Sequence, residues 1–340
     1  MANGGEFGLD IFINNAILHV LDRSGGGAVY SDAELDVDSD ICAGFITKHI
    51  KKLLSSGDAK DATFSAESKA LAAVAAYKAG EINFKDFSRR AVGLLDALMA
   101  DNPDIPPGDA LVAQFERGDD AYIAIIKLGF KEFYTHSTSD GERADNQIVK
   151  MASALPFGFG SADCAVLIPY DPMVLRVIEK PALAGGETRN YFSELFLEAA
   201  AELSKKEAAE ILEETAAAVV ADFFKGDAAR LASVKNAVVE TSDEADGVLS
   251  VTGVAARAFE DEGARAAFVE SAKEMGLSGD VSLGAKFVRS KFGSHRFKAH
   301  NGVELKLPSE LAEDPEAVVF ERHDDGSVTI VLKDLRFGDL

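Results

Sequence analysis

The hydrophobic pattern changes its period twice along the chain, and this change limits the fold more than any other feature. Up to about residue 180, stretches rich in β-branched residues alternate with apolar residues at helical spacing. From 190 to 279 helical spacing dominates, and beyond 280 short apolar runs are bounded by turn residues. The pattern predicts an α+β fold with an N-terminal mixed or antiparallel sheet and packed helices, a helical middle and a small C-terminal antiparallel β unit.

The length and one glycine-rich segment predict the domain boundary. With 340 residues the chain is longer than a typical single domain, which has about 150 residues, so we expect more than one domain. The strand pattern stops at the loop 181–189. We therefore expect an N-terminal domain at 9–185 and a C-terminal domain at 190–340, the latter with a helical part (190–279) and terminal β-hairpins (280–340).

Local signals place the individual elements. Asn83 and Ser65 are predicted helix N-caps, and Ser204 with Glu207 has the spacing of a capping box. The Asn301-Gly302 pair suits a type I′ hairpin turn. Helices are predicted at 41–54, 66–78, 84–98, 191–197, 204–225, 228–240 and 261–275. Strands are predicted at 11–21, 28–31, 110–116, 121–127, 149–154, 164–170, 175–180, 296–300, 303–307, 317–322 and 327–333, while 248–259 is ambiguous.

The charge of the chain restricts its partners. Thirty-five basic against 57 acidic residues give a net charge of −22. This charge repels a polyanion at long range, so contact with nucleic acid requires a local basic patch or a protein partner.

One segment opposes this charge, and we call residues 286–306 the basic island. Six cations and a single acidic residue give it a charge of +5. Phe287, Phe292 and Phe297 alternate with the cations, so they are either stacking platforms for bases or core residues. The cations are either phosphate contacts or an ordinary solvated surface. The candidate nucleic-acid-binding residues are Lys286, Arg289, Lys291, Arg296 and Lys298.

A second charged surface suits a different partner. Six glutamates lie close together in the sequence, and they form either a solvated face or a surface that meets a basic protein. They are Glu198, Glu202, Glu207, Glu210, Glu213 and Glu214.

Motifs for catalysis, metal binding and membrane insertion are missing from the sequence. Cys42 and Cys164 lack metal-ligand spacing, which predicts reduced thiols, and the six histidines show no paired spacing. The N-terminus does not resemble a signal peptide, and the apolar runs are too short to cross a bilayer. We expect no catalytic residue, no metal, no cofactor, no membrane contact and a cytoplasmic location.

Five segments together resemble one family. They are Ile13–Asp22, Glu81–Ser88, Pro107–Asp109, Asn190–Ser193 and Phe297–Lys306, and they occur in order along nearly the whole chain. In these segments the chain resembles the bacterial nucleoid-associated proteins of the NdpA (YejK) type. The resemblance implies a cytoplasmic protein of the nucleoid that associates with DNA, in some members with type II topoisomerases, without known catalysis. It carries over no residue-level DNA site.

The expected function is that of a non-enzymatic nucleoid-associated DNA-binding protein that contacts DNA through the basic island and modulates type II topoisomerases. Two alternatives stay open: an acidic adaptor that binds a basic protein without touching DNA, and a phage-related nucleic-acid enzyme. The expected partners are DNA, directly or indirectly, and type II topoisomerase subunits. The sequence leaves monomer and homodimer open.

Overall fold

The structure is a computed structural model, and its described residues are 10–22, 27–139, 145–155, 162–298, 302–308, 311–312, 314, 316–323 and 327–334. The chain divides into two compact units, Met1–Glu202 (unit 1) and Leu203–Leu340 (unit 2). Both helices and antiparallel sheets are present, which confirms the predicted α+β class.

Among the described residues, unit 1 is built on a seven-stranded antiparallel sheet of order β1-β3-β4-β7-β8-β2-β11. Its strands are β1 (Ile11–Leu21), β2 (Lys60–Phe64), β3 (Gly108–Arg117), β4 (Asp120–Gly129), β7 (Ala162–Pro169), β8 (Leu175–Ile178) and β11 (Ala199–Ala201). Two further hairpins pair β5 (Lys131–Ser139) with β6 (Asp145–Ala154), and β9 (Ala182–Ala184) with β10 (Glu187–Arg189).

Helices cover both faces of this sheet. On one face α2 (Lys69–Lys78) and α3 (Phe84–Asp101) pack against strand residues such as Val112 and Val166. On the other face α1 (Asp40–Ser55) packs against Leu111 and its neighbours. Since both faces are covered, the first six residues of β3 are all buried, so this strand has a continuous buried run instead of alternating buried and exposed residues.

Most predicted elements of unit 1 are present. Strand β1 has the predicted bounds, and Asn83 caps α3 by accepting a hydrogen bond from the Asp86 backbone N–H at 2.9 Å. Helix α2 starts later than predicted because Ser68, and not Ser65, is its N-cap. The strand predicted at 28–31 is reduced to one bridge between Val20 and Val29. Strands β2, β5 and β11 were not predicted, and the predicted loop 181–189 contains the hairpin of β9 and β10.

Residues 191–201 lie in unit 1, whereas the sequence assigns them to the C-terminal domain. A single π-helical turn at Phe192–Phe196 replaces the predicted helix. It brings Tyr191, Phe192 and Phe196 into the core between the sheet and α3. β11 then extends the sheet beside β2. The boundary between the units accordingly falls after Glu202.

Unit 2 combines a helical core with small hairpins. Its helices are α4 (Lys205–Phe224), α5 (Ala228–Glu244), α6 (Val251–Ala258), α7 (Glu262–Glu274) and α8 (Ala285–Phe292). The predicted capping box is present, since the Ser204 side chain accepts from the Glu207 backbone N–H and Glu207 accepts from the Ser204 backbone N–H. The ambiguous segment becomes a short strand, β12 (Val248–Ser250), followed by α6, and β12 pairs with β13 (Asp280–Ser282).

Two antiparallel hairpins follow the helices, as predicted. β14 (Ser294–Lys298) pairs with β15 (Glu304–Pro308), and β16 (Val318–Arg322) pairs with β17 (Val328–Leu332). The tips at 299–301 and 324–326 lie outside the described residues. Leu307 and Val318 share a small core with α5 through Ala232. Within the described ranges, no helix is both long and apolar enough to cross a membrane.

Candidate nucleic-acid interface

The first part of the basic island is a helix, whereas the sequence pattern predicted strands from 280 onward. Val288 and Phe292 lie four residues apart on one face of α8 and are buried in the helical core, with Phe287 packed beside them. Residue 284 has a φ of 79°, a conformation that glycine adopts without strain, and Gly284 precedes the helix. The helix has only eight residues between Gly284 and Gly293, which is too short for its apolar spacing to be distinguished from that of a strand.

Two of the candidate cations on α8 are held by acidic residues. The Arg289 guanidinium donates through Nε to Asp243 Oδ1 of α5 at 3.0 Å. Lys291 Nζ lies 2.8 Å from Glu213 Oε2 of α4. Such partly exposed pairs contribute only about 0.2–1 kcal/mol each, so phosphate competes readily for the cation. The carboxylates nevertheless cancel much of the charge that α8 presents.

Lys286 and Arg296 are exposed, and neither forms an ion pair with another described residue. Arg296 lies in β14 directly opposite Lys306 of β15, whose side chain is also exposed. Side chains at opposed positions share one face of the ladder, with Cβ atoms about 5 Å apart. Two cations so close repel each other, and an anion held between them would relieve that repulsion.

Lys306 belongs to the exposed cations of the basic island, but the sequence analysis did not place it among the candidate nucleic-acid-binding residues. A two-residue turn at 301–302 would pair Arg296 with Leu307, on a core-facing position. The observed register pairs Arg296 with Lys306, one residue away, and a shift by one residue moves a side chain to the other face of the ladder. Lys298 lies opposite Glu304 in this register, and its side chain is outside the described set.

The phenylalanines of the island do not form a row of stacking platforms. Phe292 is 1% exposed and Phe287 is half-buried against the helical core. The stacking interpretation is therefore wrong for Phe292, because a base cannot reach a ring in the core. The Phe297 side chain lies outside the described residues. Of its neighbours, Val303 is exposed and Leu305 packs on the small core.

A family model described as nucleoid-associated protein YejK matches residues 17–337. The chain belongs to this family. The match covers both units and confirms the resemblance carried by the five sequence segments. A search of curated proteins finds no significant match. The YejK-family assignment gives the chain a nucleoid-associated role.

The acidic candidates of this YejK-family chain are divided between the two units. Glu198 and Glu202 belong to unit 1, where the Glu198 carboxylate accepts from the Lys69 backbone N–H. Glu207 is committed to the capping box, and Glu213 is paired with Lys291 and Lys235. Glu210 and Glu214 remain, one helical turn apart and exposed on α4.

The buried polar groups of unit 1 serve the fold. The Cys164 thiol donates to the Tyr191 hydroxyl at 3.2 Å, and burial raises the pKa of Cys164 to about 11, so it stays protonated. Burial also raises the pKa of Glu179, whose carboxylate accepts hydrogen bonds from the Ser193 backbone and hydroxyl. Both cysteines are free thiols, as expected.

Metal-ligand chemistry finds no support in the described part of the chain. No three of its His, Cys, Asp and Glu side chains are grouped so that they could hold one metal ion. His19 is fully buried and hydrogen-bonded on both ring nitrogens, to Ser31 and Ser88, which makes it a structural histidine.

Proposed function

We propose that this nucleoid-associated protein contacts duplex DNA directly through the basic island and catalyses no reaction. Lys286, Arg296 and Lys306 are the primary phosphate contacts, and Lys298 joins them on the sequence argument. Arg289 and Lys291 act as secondary contacts because each must first leave a carboxylate. The observation that carries the proposal is the exposed, cross-strand pair of Arg296 and Lys306 on a chain of charge −22.

The buried phenylalanines favour the duplex backbone over single strands. Non-specific binding to single strands combines cations with aromatic rings that bases stack on. Phe292 is in the core and Phe287 is packed against it, so the helix offers cations without such rings. The expected preference is therefore for double-stranded DNA, read through phosphates and without base specificity.

The salt dependence of binding distinguishes primary from secondary contacts. On duplex DNA, log K falls with log[salt] at about −0.9 per neutralised phosphate. Three or four primary contacts predict a slope of roughly −3. A slope near −5 would mean that Arg289 and Lys291 also leave Asp243 and Glu213 to reach phosphates.

The test is a mobility-shift titration of the full chain at several salt concentrations with single- and double-stranded DNA. Replacing Arg296 and Lys306 with Gln is expected to make the slope less negative by about 2. The matched control replaces Lys51 and Lys52, which are exposed on α1, and removes the same net charge. Equal slopes in the two variants, or failure of the wild-type chain to bind at low salt, would refute direct contact through the basic island.

The second candidate function is an acidic adaptor that binds a basic protein, for which we propose a type II topoisomerase subunit. It is favoured by Glu210 and Glu214, two like charges one turn apart that form no ion pair with any described residue. Like charges at this spacing destabilise a helix slightly, and a basic partner would reverse the sign of that contribution.

A pull-down of purified subunits after nuclease treatment tests the adaptor function. Glu210→Lys with Glu214→Lys is expected to abolish capture. The control variant reverses Glu270 and Glu274, a second exposed pair at the same spacing on α7. If both double variants still capture the subunit, the α4 surface is not the docking site. Glu207 and Glu213 are left unchanged because their substitution would disturb the fold.

A further inference from the structure

Unit 2 contains a cavity of about 200 Å³ between α4, α5 and α8. Its walls are mostly apolar, and five of its six apolar side chains are at most 3% exposed. These lining residues are Leu212, Ala216, Leu231, Val234, Val238 and Phe292. Apolar cavities of about 150 Å³ in protein cores bind molecules of the size of benzene. The cavity of unit 2 is therefore large enough for a small apolar ligand.

The spacing of the lining residues explains why the cavity forms. Leu212 and Ala216 lie one turn apart on α4, and Leu231, Val234 and Val238 recur at three and four residues on α5. Both rows belong to the same helical core. Ala216 contributes only a methyl group to this core, so the space beside it stays unfilled. Side chains around such a void lose packing contacts, and a guest of the right shape restores them.

Charged side chains mark the open side of the cavity. Glu213 and Lys235 line it together with the apolar residues, and their side chains are 31% and 21% exposed. Glu213 Oε1 lies 3.6 Å from Lys235 Nζ, and Glu213 Oε2 lies 2.8 Å from Lys291 Nζ. One carboxylate is thus shared by two ammonium groups, which gives these three side chains a surplus of one positive charge. A second carboxylate at the mouth would balance that charge.

We propose that this cavity binds a small apolar molecule with one anionic head group, of the size of an eight-carbon carboxylate. The apolar part lies between α4 and α5, and the head group lies beside Lys235 at the mouth, where Glu213 keeps its pairing with Lys291. The volume sets the length, because about 150 Å³ holds the six carbons of benzene and about 200 Å³ holds roughly eight. An amine in place of the carboxylate would add a third positive charge and is disfavoured.

Isothermal titration calorimetry of the full chain, in the absence of DNA, tests the site with three eight-carbon probes: octanoate, 1-octanol and octylamine. This test does not depend on the proposed DNA contact. Octanoate is expected to bind at one site with a Kd on the order of 100 µM and a negative change in heat capacity, because apolar surface is buried. 1-Octanol is expected to bind about 10-fold more weakly, since it lacks the charge-assisted hydrogen bond to Lys235, and octylamine more weakly still.

Two pairs of variants separate the apolar part of the site from its charged mouth. Ala216→Leu fills the cavity and is expected to abolish binding of octanoate and 1-octanol, whereas Ala217→Leu, at an exposed position of the same helix, is expected to leave both unchanged. Lys235→Gln is expected to remove most of the preference for octanoate over 1-octanol. Its control is Lys273→Gln, which removes the same charge and an ion pair with Glu270 on α7 and is expected to keep the preference.

Three results would overturn the proposal. They are the absence of saturable binding at millimolar octanoate, equal octanoate affinities in Ala216→Leu and Ala217→Leu, and tighter binding of octylamine than of octanoate. Circular dichroism checks that Ala216→Leu is folded. If it is not, the comparison of Lys235→Gln with Lys273→Gln decides, and an unchanged preference for octanoate in both would contradict the assigned head-group contact.

Discussion

Replacing Asp109 with Asn is expected to stabilise unit 1 at neutral pH. Asp109 is 6% exposed at the start of β3, and its Oδ1 accepts no hydrogen bond from the described residues. Burial, with a smaller contribution from the charge of Asp22, raises the pKa of Asp109 from 3.8 to about 6. The ionised carboxylate is therefore held in an environment that disfavours it, and Asn keeps its shape without the charge.

The size of the effect follows from the shift in pKa. A rise from 3.8 to about 6 is roughly 2 pKa units, at about 1.4 kcal/mol per unit. The folded state binds the proton more tightly than the unfolded state, so this stabilisation is complete below about pH 4 and is lost as the pH rises through about 6. Relative to wild type, the free energy of unfolding of the Asn variant should therefore increase by about 3 kcal/mol as the pH rises from about 4 to above 6. For a unit of about 200 residues this corresponds to a rise in the unfolding temperature of roughly 6–12 °C.

Differential scanning calorimetry of the full chain at about pH 4.5 and pH 7.5 checks this expectation, with the variant compared with the wild-type chain at each pH. Asp104→Asn, at an exposed position in the same unit, is the control and should leave the difference between the two pH values unchanged. A gain for Asp109→Asn that is equal at both pH values, or a loss at neutral pH, would refute the claim that a buried charge causes the effect.

Two further predictions concern His19 and Phe292. Burial, followed by the charge of Arg89, lowers the pKa of His19 to about 4, so on acidification the unfolded chain takes up a proton at this histidine before the folded chain does. As the pH drops from about 6.5 to 4, the free energy of unfolding of the wild-type chain should therefore fall by about 3 kcal/mol relative to that of His19→Gln. Urea unfolding at several pH values measures this difference. Phe292→Ala should cost unit 2 about 3–5 kcal/mol in thermal unfolding, because the ring is in the core; lost DNA binding at unchanged stability would show that it is a stacking platform instead.

Elements with strong local signals were predictable from the sequence. The capping box at Ser204 and Glu207 and the cap at Asn83 act within four residues, so their hydrogen bonds follow from spacing alone. The run of β-branched residues in β1 has the same local character. The longer helices of unit 2, α4, α5 and α7, follow from their spacing as well. Together these signals were enough for the α+β class.

Elements that depend on distant partners were not predictable. β2 has only five residues, two of them charged, and becomes a strand because β8 and β11 pair with it on either side. β5 is mostly polar, and within the described residues its strand pairing is with β6 alone. Residues 191–201 carry a helical pattern, yet burial of Phe192 and Phe196 against the sheet draws them into unit 1.

The candidate site shows the same division between local and distant information. The charge of the sequence alone located the basic island, because a net charge of +5 in 21 residues does not depend on how the strands pair. The sequence did not show which of these cations are held in ion pairs. The carboxylates of Asp243 and Glu213, which pair with Arg289 and Lys291, are 46 and 78 positions away in the sequence.

A one-residue difference in hairpin register decides the chemistry of the second half of the island. With Arg296 opposite Leu307, the arginine would lie on the core face and its charge would be costly to bury. With Arg296 opposite Lys306, both cations lie on the exposed face and repel each other. A surface of charge −22 offers many carboxylates, yet the described residues place none in an ion pair with Arg296. On so acidic a protein, two adjacent cations without an ion pair among the described residues have the charge that the proposed contact with DNA phosphates requires.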